Sequence, residues 1–254
     1  MIGVFTDIDD TLTTEGAITD DALQALAQLQ AAGLKVVAIT GRPVGWSEPF
    51  ARAWPLDAIV AENGAVALLR DDKHPGGLCK LYQDPAELRA ERFARLQAVL
   101  ERIERDVPGA RRAQDSAGRE TDIAIDHSEF TTLPAEAIDG VVALMQASGL
   151  RATVSSIHIN GWIGTHDKLA GARWIVQQLW GRALDDERAQ WVYVGDSTND
   201  QIMFEHFEHS VGVANVRRFA AQLQHPPRYI TEGERGAGFA ELARHVLRHS
   251  ASGR

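Results

Sequence analysis

The opening forty or so residues constrain the fold of this chain more than any other stretch. Residues 1–6 and 34–40 are short, apolar and rich in β-branched side chains, as expected of buried strands. Between them, leucines recur on one face of a predicted helix that Thr19 can cap and Gly33 can end. A strand, a helix and a second strand with short connections form a βαβ unit, which predicts a parallel sheet.

Acidic side chains follow the first predicted strand directly. Asp7, Asp9 and Asp10 come within four residues of one another, and carboxylates held that close repel. A fold tolerates them most easily around a cation, and Mg²⁺ prefers oxygen ligands. The alternative interpretation is that these aspartates only form the turn after the strand.

The second predicted strand ends in Thr40-Gly41-Arg42. Parallel sheets bind ligands beyond the carboxyl ends of their strands, so Thr40 is expected beside Asp7. A hydroxyl and a backbone N–H next to glycine suit a phosphate oxygen, although this tripeptide alone is more often a simple turn.

Two further features point to the same edge of the sheet. The predicted strand 190–194 ends in Gly195-Asp196-Ser197-Thr198-Asn199-Asp200, a second acidic cluster after a buried strand. Lys168 falls in the first turn of a predicted helix, where the macrodipole disfavours positive charge. An anion bound at that helix end would explain the lysine.

The strand and helix pattern changes between residues 85 and 165. This segment predicts helices at 86–105 and 134–148, and strands at 111–114, 121–126, 152–157 and 160–164. Paired strands between helices are typical of an α+β domain with an antiparallel sheet. We therefore predict an α/β, Rossmann-like parallel-sheet core formed by residues 1–84 and 166–254, with an inserted α+β cap at 85–165.

Composition excludes several classes of function. The net charge of -9 and the lack of a long basic run argue against nucleic acid or an anionic membrane as partner. A single cysteine, Cys79, allows no intrachain disulfide and no cysteine-based zinc site. Without a signal-like segment or an apolar run of membrane-spanning length, the expected compartment is the cytoplasm.

The four motif stretches together resemble those of the haloacid dehalogenase superfamily of aspartate-nucleophile phosphotransferases. They match in order and spacing: Asp7-x-Asp9-x-Thr11, Thr40-Gly41-Arg42, Lys168 and Gly195-Asp196-Ser197-x-Asn199-Asp200. The resemblance covers the core, about residues 1–82 and 166–247. The position of the insert is similar to members with a type C2 cap, such as sucrose-phosphate phosphatase and Cof-type sugar phosphatases.

The resemblance implies that Asp7 attacks phosphorus and that Asp9 serves as general acid and base. The second aspartate favours phosphate ester hydrolysis, because the dehalogenases of the family lack it. The resemblance also implies a bound Mg²⁺. Its implied ligands are Asp7, the backbone carbonyl of Asp9, Asp196 and, directly or through water, Asp200.

The remaining site residues fall into two groups. The resemblance assigns phosphoryl binding or its orientation to Thr40, the Gly41 N–H, Lys168 and Asn199. In the cap, polar and aromatic residues near the rejoining strands are candidates for substrate contacts: His158, Asn160, Trp162 and His166. The cap carries no substrate-specific motif.

The function expected from these residues is that of a Mg²⁺-dependent phosphatase acting on a small phosphorylated metabolite, with a sugar phosphate favoured. A phosphotransferase or phosphomutase would use the same acid/base groups. A catalytically idle phosphosugar-binding protein is a third possibility, but binding alone does not require a nucleophile and an acid together. The expected partner is a small-molecule phosphorylated substrate, and the expected oligomeric state is a monomer or a homodimer.

Overall fold

The computed structural model describes residues 1–251, so the end of the predicted core segment 166–254 lies outside the described residues. The strands are β1 Gly3–Thr6, β2 Thr13–Thr14, β3 Ala17–Ile18, β4 Lys35–Ile39, β5 Ala58–Ala61, β6 Val66–Arg70, β7 Leu78–Tyr82, β8 Arg111–Arg112, β9 Asp122–Asp126, β10 Arg151–Val154, β11 His158–Trp162, β12 Trp191–Gly195, β13 His209–Gly212 and β14 Tyr229–Ile230. The helices are α1 Asp20–Ala31, α2 Val44–Ala53, α3 Ala86–Asp106, α4 Ala135–Ala147, α5 Lys168–Trp180, α6 Leu184–Glu187, α7 Gln201–His206 and α8 Arg235–Ala251.

The main sheet has eight strands in the order β14-β13-β12-β1-β4-β5-β6-β7. Neighbouring strands are parallel from β14 to β5, while β6 and β7 add an antiparallel hairpin at one edge. The predicted α/β fold with a parallel core sheet is therefore confirmed. In the sheet, β1 lies near the middle, between β12 and β4.

Side chains of β1 alternate between two hydrophobic clusters, one on each face of the sheet. Val4 is fully buried with Leu26 of α1 and Phe239 of α8. Phe5 is buried on the opposite face with Ile175 of α5. Because helices cover both faces, side chains on both faces of the central strands are mostly apolar, and the sequence of these strands is a nearly continuous apolar run.

A second, antiparallel sheet has four strands in the order β10-β11-β9-β8. These strands, with α3 and α4, all lie in the segment for which an inserted cap is predicted. One face of the sheet packs on the two helices, as shown by the cluster of Ile123 and Ile159 with Leu96 and Val141. The other face carries polar side chains that are nonetheless buried, including Asp122 and Asn160, and it covers the carboxyl edge of the main sheet.

Helix α2 was not predicted from the sequence. It contains Gly45 and Pro49, which both disfavour a helix interior. The helix forms because Val44, Ser47 and Ala51 are buried on one side of it. Tertiary packing here outweighs the local preference.

The strands β10 and β11 end earlier than the predicted 152–157 and 160–164. The hydroxyl of Ser155 accepts hydrogen bonds from the N–H groups of Ile157 and His158, at 3.3 and 3.0 Å, and so closes a turn. This short-range bonding competes with strand pairing. None of the helices within residues 1–251 combines the length and apolarity needed to cross a membrane.

Candidate active site

Three of the four predicted motifs follow adjacent strands of the main sheet. Asp7 comes directly after β1, Thr40 after β4 and Asp196 after the glycine that ends β12. The strands are in parallel register, with Thr6 opposite both Ala38 and Val194. The motif residues therefore emerge side by side at one edge of the sheet.

The fourth motif reaches this edge from helix α5. Lys168 is the first residue of the helix, and the side chain of Asp167 caps it by accepting a hydrogen bond from Ala170 N at 2.8 Å. Lys168 Nζ lies 2.8 Å from Asp7 Oδ1 and 2.6 Å from Asp200 Oδ1. The lysine side chain is only 2% exposed, so these ion pairs are shielded from water.

Burial and charge act in opposite directions on this ion pair. Burial disfavours the charged ammonium of Lys168, but the carboxylates of Asp200 and Asp7 outweigh it and raise the pKa of the lysine above its ordinary value. Burial raises the pKa of Asp7 to about 7, even though Lys168 lowers it in part. The site thus holds more negative charge than its single lysine balances.

Asp200 organises the motif loop rather than facing open space. Its Oδ1 accepts from Lys168 and from the hydroxyl of Tyr193, and its Oδ2 accepts from the N–H groups of Asp196 and Ser197 at 2.9 and 3.1 Å. These bonds occupy both oxygens, so a cation would reach Asp200 through an intervening water. The contact of Tyr193 with Asp200 was not predicted, because in the sequence Tyr193 is only one more residue of an apolar strand.

Asp196 has an oxygen free for a ligand. The residue is fully buried, and its Oδ1 has no hydrogen-bond partner within the described chain. The other oxygen accepts from Asn215 Nδ2 at 3.3 Å, and Asn215 Nδ2 also lies 3.0 Å from the Asp10 carbonyl. Burial raises the pKa of Asp196 well above its ordinary value, and the charges of Asp200 and Asp7 add to this.

The donor set fits a hard divalent cation. Asp7, Asp196 and Asp200 each place one carboxylate oxygen within 4.8 Å of the others. An unpartnered buried oxygen and an excess of negative charge are conditions that a cation would relieve, and oxygen donors suit Mg²⁺. The side chain of Asp9 is not part of this group.

Asp9 instead faces Arg42, which was not among the predicted site residues. Arg42 Nε lies 2.9 Å from both oxygens of the Asp9 carboxylate. The same guanidinium reaches Asp115 at 3.1 Å and Glu129 at 2.7 Å, both in the 85–165 segment. Arg42 therefore links Asp9 to the 85–165 segment.

Two of the phosphate-binding candidates, Thr40 and Gly41, follow the end of β4. Thr40 is fully buried, and its Oγ1 accepts a hydrogen bond from Arg42 N at 3.0 Å. The Gly41 N–H donates to no protein acceptor within residues 1–251. Asn199 is 8% exposed, and its side-chain oxygen accepts from Ser197 Oγ at 3.0 Å.

The four cap candidates are all buried, and each is engaged within the protein. His158 Nε2 lies 2.8 Å from Glu129 Oε2, and Asn160 Nδ2 donates to the Gly41 carbonyl at 3.2 Å. Trp162 Nε1 donates to the His166 carbonyl at 2.9 Å, and the two rings stack. Of the four, His158 and Asn160 belong to the network that reaches Arg42 and Gly41.

A cavity of about 190 Å³ opens beside the lysine, between β10 and the start of α5. Asn63, Thr153, Lys168 and Asn199 are among its lining residues. Asn63 Nδ2 and Thr153 Oγ1 are buried and have no hydrogen-bond partner within the described chain. A larger depression of about 380 Å³ lies against the β6–β7 hairpin, but none of the predicted site residues lines it.

Comparison with known proteins connects this site to a family. Residues 4–86 match the family model of haloacid dehalogenase-like hydrolases. The chain is 26% identical over 238 residues to a phosphoglycolate phosphatase of Methanosarcina mazei, with 92% of each protein covered.

Solved structures share the whole fold, including the insert. A protein of Thermoplasma acidophilum superposes with a TM-score of 0.71 at 17% identity, covering 96% of this chain and 98% of that one. The sucrose-phosphatase of Synechocystis sp. PCC6803, solved with sucrose and phosphate, superposes with a TM-score of 0.66 at 17% identity over 96% and 97% of the two chains.

Residues 4–86 match the haloacid dehalogenase-like hydrolases, the chain shares its fold with the solved structures, and the four motifs lie at one sheet edge, so the chain is similar to this superfamily in both sequence and fold. The similarity to a phosphoglycolate phosphatase, together with Asp9 two residues after Asp7, supports an enzyme of the phosphatase type.

Proposed function

We propose that the protein hydrolyses the phosphate monoester of a small metabolite through a covalent intermediate on Asp7, and that the substrate class is a sugar phosphate. The observation that carries the proposal is the buried contact between Lys168 and Asp7 at the sheet edge, with a second carboxylate, Asp9, two residues on. Phosphoryl transfer needs a nucleophile, a positive charge beside it and a general acid. Asp7, Lys168 and Asp9 would fill these three roles.

The reaction divides into two displacements at phosphorus. Asp7 attacks and the bond from phosphorus to the leaving oxygen breaks. Asp9, which enters this step protonated and turned away from Arg42, gives its proton to that oxygen. Water then attacks the aspartyl-phosphate, Asp9 takes the proton of the water, and inorganic phosphate leaves while the Asp7 carboxylate is restored. General acid and base catalysis of this kind is typically worth about 10² to 10⁴-fold in rate.

Several side-chain and backbone groups would bind the negatively charged phosphoryl oxygens. Lys168 holds one oxygen of Asp7 and places its ammonium beside the reacting group. The Thr40 hydroxyl and the open Gly41 N–H are suited to two phosphoryl oxygens, and Asn199 orients the loop next to them. Fixed donors of this type stabilise the transition state more than the ground state.

We further propose Mg²⁺ as the cofactor. Asp7, Asp196 and the backbone carbonyl of Asp9 would hold it, with Asp200 contributing through water. When bound, the ion would supply charge neutralisation for the phosphoryl oxygens and balance the excess carboxylates. The unpartnered Oδ1 of Asp196 supports this assignment.

The cavity beside Lys168 supports a small leaving group. Its volume of about 190 Å³ leaves room for a metabolite rather than for a polymer. The unpartnered groups of Asn63 and Thr153 are an amide and a hydroxyl, which suit the hydroxyl groups of a sugar. Among relatives, one is named a phosphoglycolate phosphatase and another a sucrose-phosphatase, so both a small acid and a sugar belong in the test.

The test is release of inorganic phosphate from sugar phosphates, phosphoglycolate and nucleotides, each with Mg²⁺ and with a chelator. We expect release that requires the metal and is fastest with one sugar phosphate. Fastest release from phosphoglycolate would overturn the sugar assignment and keep the phosphatase. Phosphate passed to an added alcohol without release of inorganic phosphate would replace hydrolysis by a phosphotransferase reaction.

A further inference from the structure

The carbonyl of Gly41 accepts two hydrogen bonds from the cap. Arg119 Nη1 donates to it at 3.1 Å and Asn160 Nδ2 donates to it at 3.2 Å. Gly41 belongs to the predicted phosphate-binding loop of the core, whereas the two donors lie in the 85–165 segment. Both donors are buried, with 4% and 1% of their surface exposed.

A buried carboxylate fixes both donors in place. Asp122 Oδ1 accepts from Arg119 at 2.8 Å, and Asp122 Oδ2 accepts from Asn160 at 3.3 Å. Arg119 is further held by Asp115, whose Oδ1 lies 3.1 Å from its Nη2. A fully buried carboxyl group of this kind keeps its partners in one geometry, because losing either would leave one of its oxygens unpaired.

The same cap segment docks closely on the core. A Cβ on Gly45 would lie 2.8 Å from the Cα of Gly118, so the two backbones touch. On the other side, the carboxylate of Glu62 accepts from the N–H groups of Glu120 and Thr121. Residues 118–122 are thus anchored to the core at both ends of the Gly41 contact.

The Gly41 carbonyl belongs to a peptide unit that also carries the Arg42 N–H. That unit is planar and trans, so fixing the oxygen also fixes the direction of the N–H. Arg42 N donates to Thr40 Oγ1 at 3.0 Å. Because the Thr40 oxygen already accepts this bond, its hydroxyl proton is left to donate elsewhere.

We propose that Arg119 and Asn160 are positioning residues of the phosphate-binding loop. They hold the Gly41–Arg42 peptide, and through it the Thr40 hydroxyl, in the orientation that binds a phosphoryl oxygen. The inference rests on the proposed phosphatase function and assigns Asn160 to the phosphoryl end of the substrate rather than to the sugar.

The test compares the wild-type chain with Asn160→Ala, using inorganic phosphate as the ligand and three substrates with unlike leaving groups. The substrates are p-nitrophenyl phosphate, phosphoglycolate and a hexose 6-phosphate. We expect phosphate to bind about tenfold more weakly, as for the loss of one buried hydrogen bond, and kcat/KM to fall by the same factor for all three substrates. A loss that differs strongly between leaving groups, or no loss, would overturn the proposal.

A matched control separates positioning from a merely loosened cap. Glu120→Gln weakens the contacts of Glu120 with Lys80 and Tyr82, at 3.0 and 2.7 Å, without touching Gly41. We expect it to leave phosphate affinity unchanged. An equal loss in both variants would contradict the proposal. If Asn160→Ala does not fold, Arg119→Lys removes the forked donor while keeping the charge beside Asp122, and the same weakening is expected.

A double-mutant cycle tests the route through Thr40. If Asn160 acts on phosphate through that hydroxyl, Asn160→Ala has little further effect in a Thr40→Val background. Additive losses would reject this route. A wild-type protein that binds inorganic phosphate but hydrolyses nothing would refute the proposed function, while the phosphate affinities would still decide this inference.

Discussion

The ammonium group of Lys168 lies 2.6 Å from Asp200 Oδ1, closer than the 2.8 Å that separates it from Asp7 Oδ1. The lysine is therefore shared between the proposed nucleophile and a carboxylate whose other contacts all lie within its own loop and strand. One ammonium group therefore links Asp200 to Asp7.

This sharing predicts the effect of Asp200→Asn. Without the Asp200 charge, the ammonium of Lys168 keeps only one carboxylate partner, Asp7. The hydrogen bonds from the Asp196 and Ser197 N–H groups to Asp200 are also weakened. We expect kcat to fall about 10² to 10³-fold, in the range found when one fixed group is removed from a preorganised site. The matched variant Tyr193→Phe removes only the hydroxyl that donates to Asp200, so its loss should stay within about tenfold. Steady-state kinetics on p-nitrophenyl phosphate checks both, and an equal loss in the two variants would contradict this ranking.

Substitution of the nucleophile gives a second prediction. Asp7→Asn keeps the size of the side chain and an oxygen that can accept from Lys168, so the variant should fold. It should lose turnover entirely, because an amide does not form the acyl phosphate. Acid-quenched protein incubated with ³²P-labelled substrate should carry label in the wild type and none in Asp7→Asn. Retained phosphatase activity would exclude Asp7 as the nucleophile.

Metal binding can be tested without activity. Mg²⁺ that binds the folded protein only should raise the Tm in a concentration-dependent way. We expect this rise in the wild type and its loss in Asp196→Asn, because Asp196 supplies the unpartnered buried oxygen. Glu120→Gln, which lies away from the carboxylate group, should keep the full rise. If Mg²⁺ raises the Tm of Asp196→Asn as much as that of the wild type, Asp196 is not a ligand and the ion binds elsewhere.

The buried imidazole of His166 predicts that the free energy of unfolding depends on pH. Burial lowers the pKa of His166 to about 4, from 6.5 in the unfolded chain. Between these values the unfolded state binds more protons, so the free energy of unfolding falls as the pH falls. From pH 7 to pH 5 this group alone should remove on the order of 2 kcal/mol.

The comparison variant is His166→Phe, which keeps a ring against Trp162 and cannot titrate. Urea unfolding at pH 7 and pH 5 should show a smaller difference between the two pH values for this variant than for the wild type. An identical difference in both proteins would show that the imidazole does not carry the effect.

Much of the core was predictable because its signals are local. A buried strand is an apolar run, and parallel strands end at the same edge of the sheet, so Thr40 could be expected beside Asp7 and the Asp196 cluster at the same edge. That β12 lies directly beside β1 is known only from the structure. The N-cap at Asp167 and the glycine end of α5 at Gly181 likewise follow from the residues that neighbour them.

What could not be predicted depends on contacts distant in sequence. Tyr193 lies in an apolar strand, and only the structure shows that its hydroxyl donates to Asp200. Arg42 reaches Glu129, eighty-seven positions away, and nothing in either local sequence marks the pairing. Helix α2 was missed because Gly45 and Pro49 oppose it locally, and only burial of its apolar side explains it.

The touching backbones of Gly45 and Gly118 limit how this enzyme can be recombined. A Cβ on Gly118 would lie 3.0 Å from the Cα of Gly45, so neither position has space for a side chain. A chimaera that replaces residues 85–165 with the insert of another phosphatase would need glycine at the equivalent of position 118. Inserts without it would be held away from the core, whatever substrate they recognise.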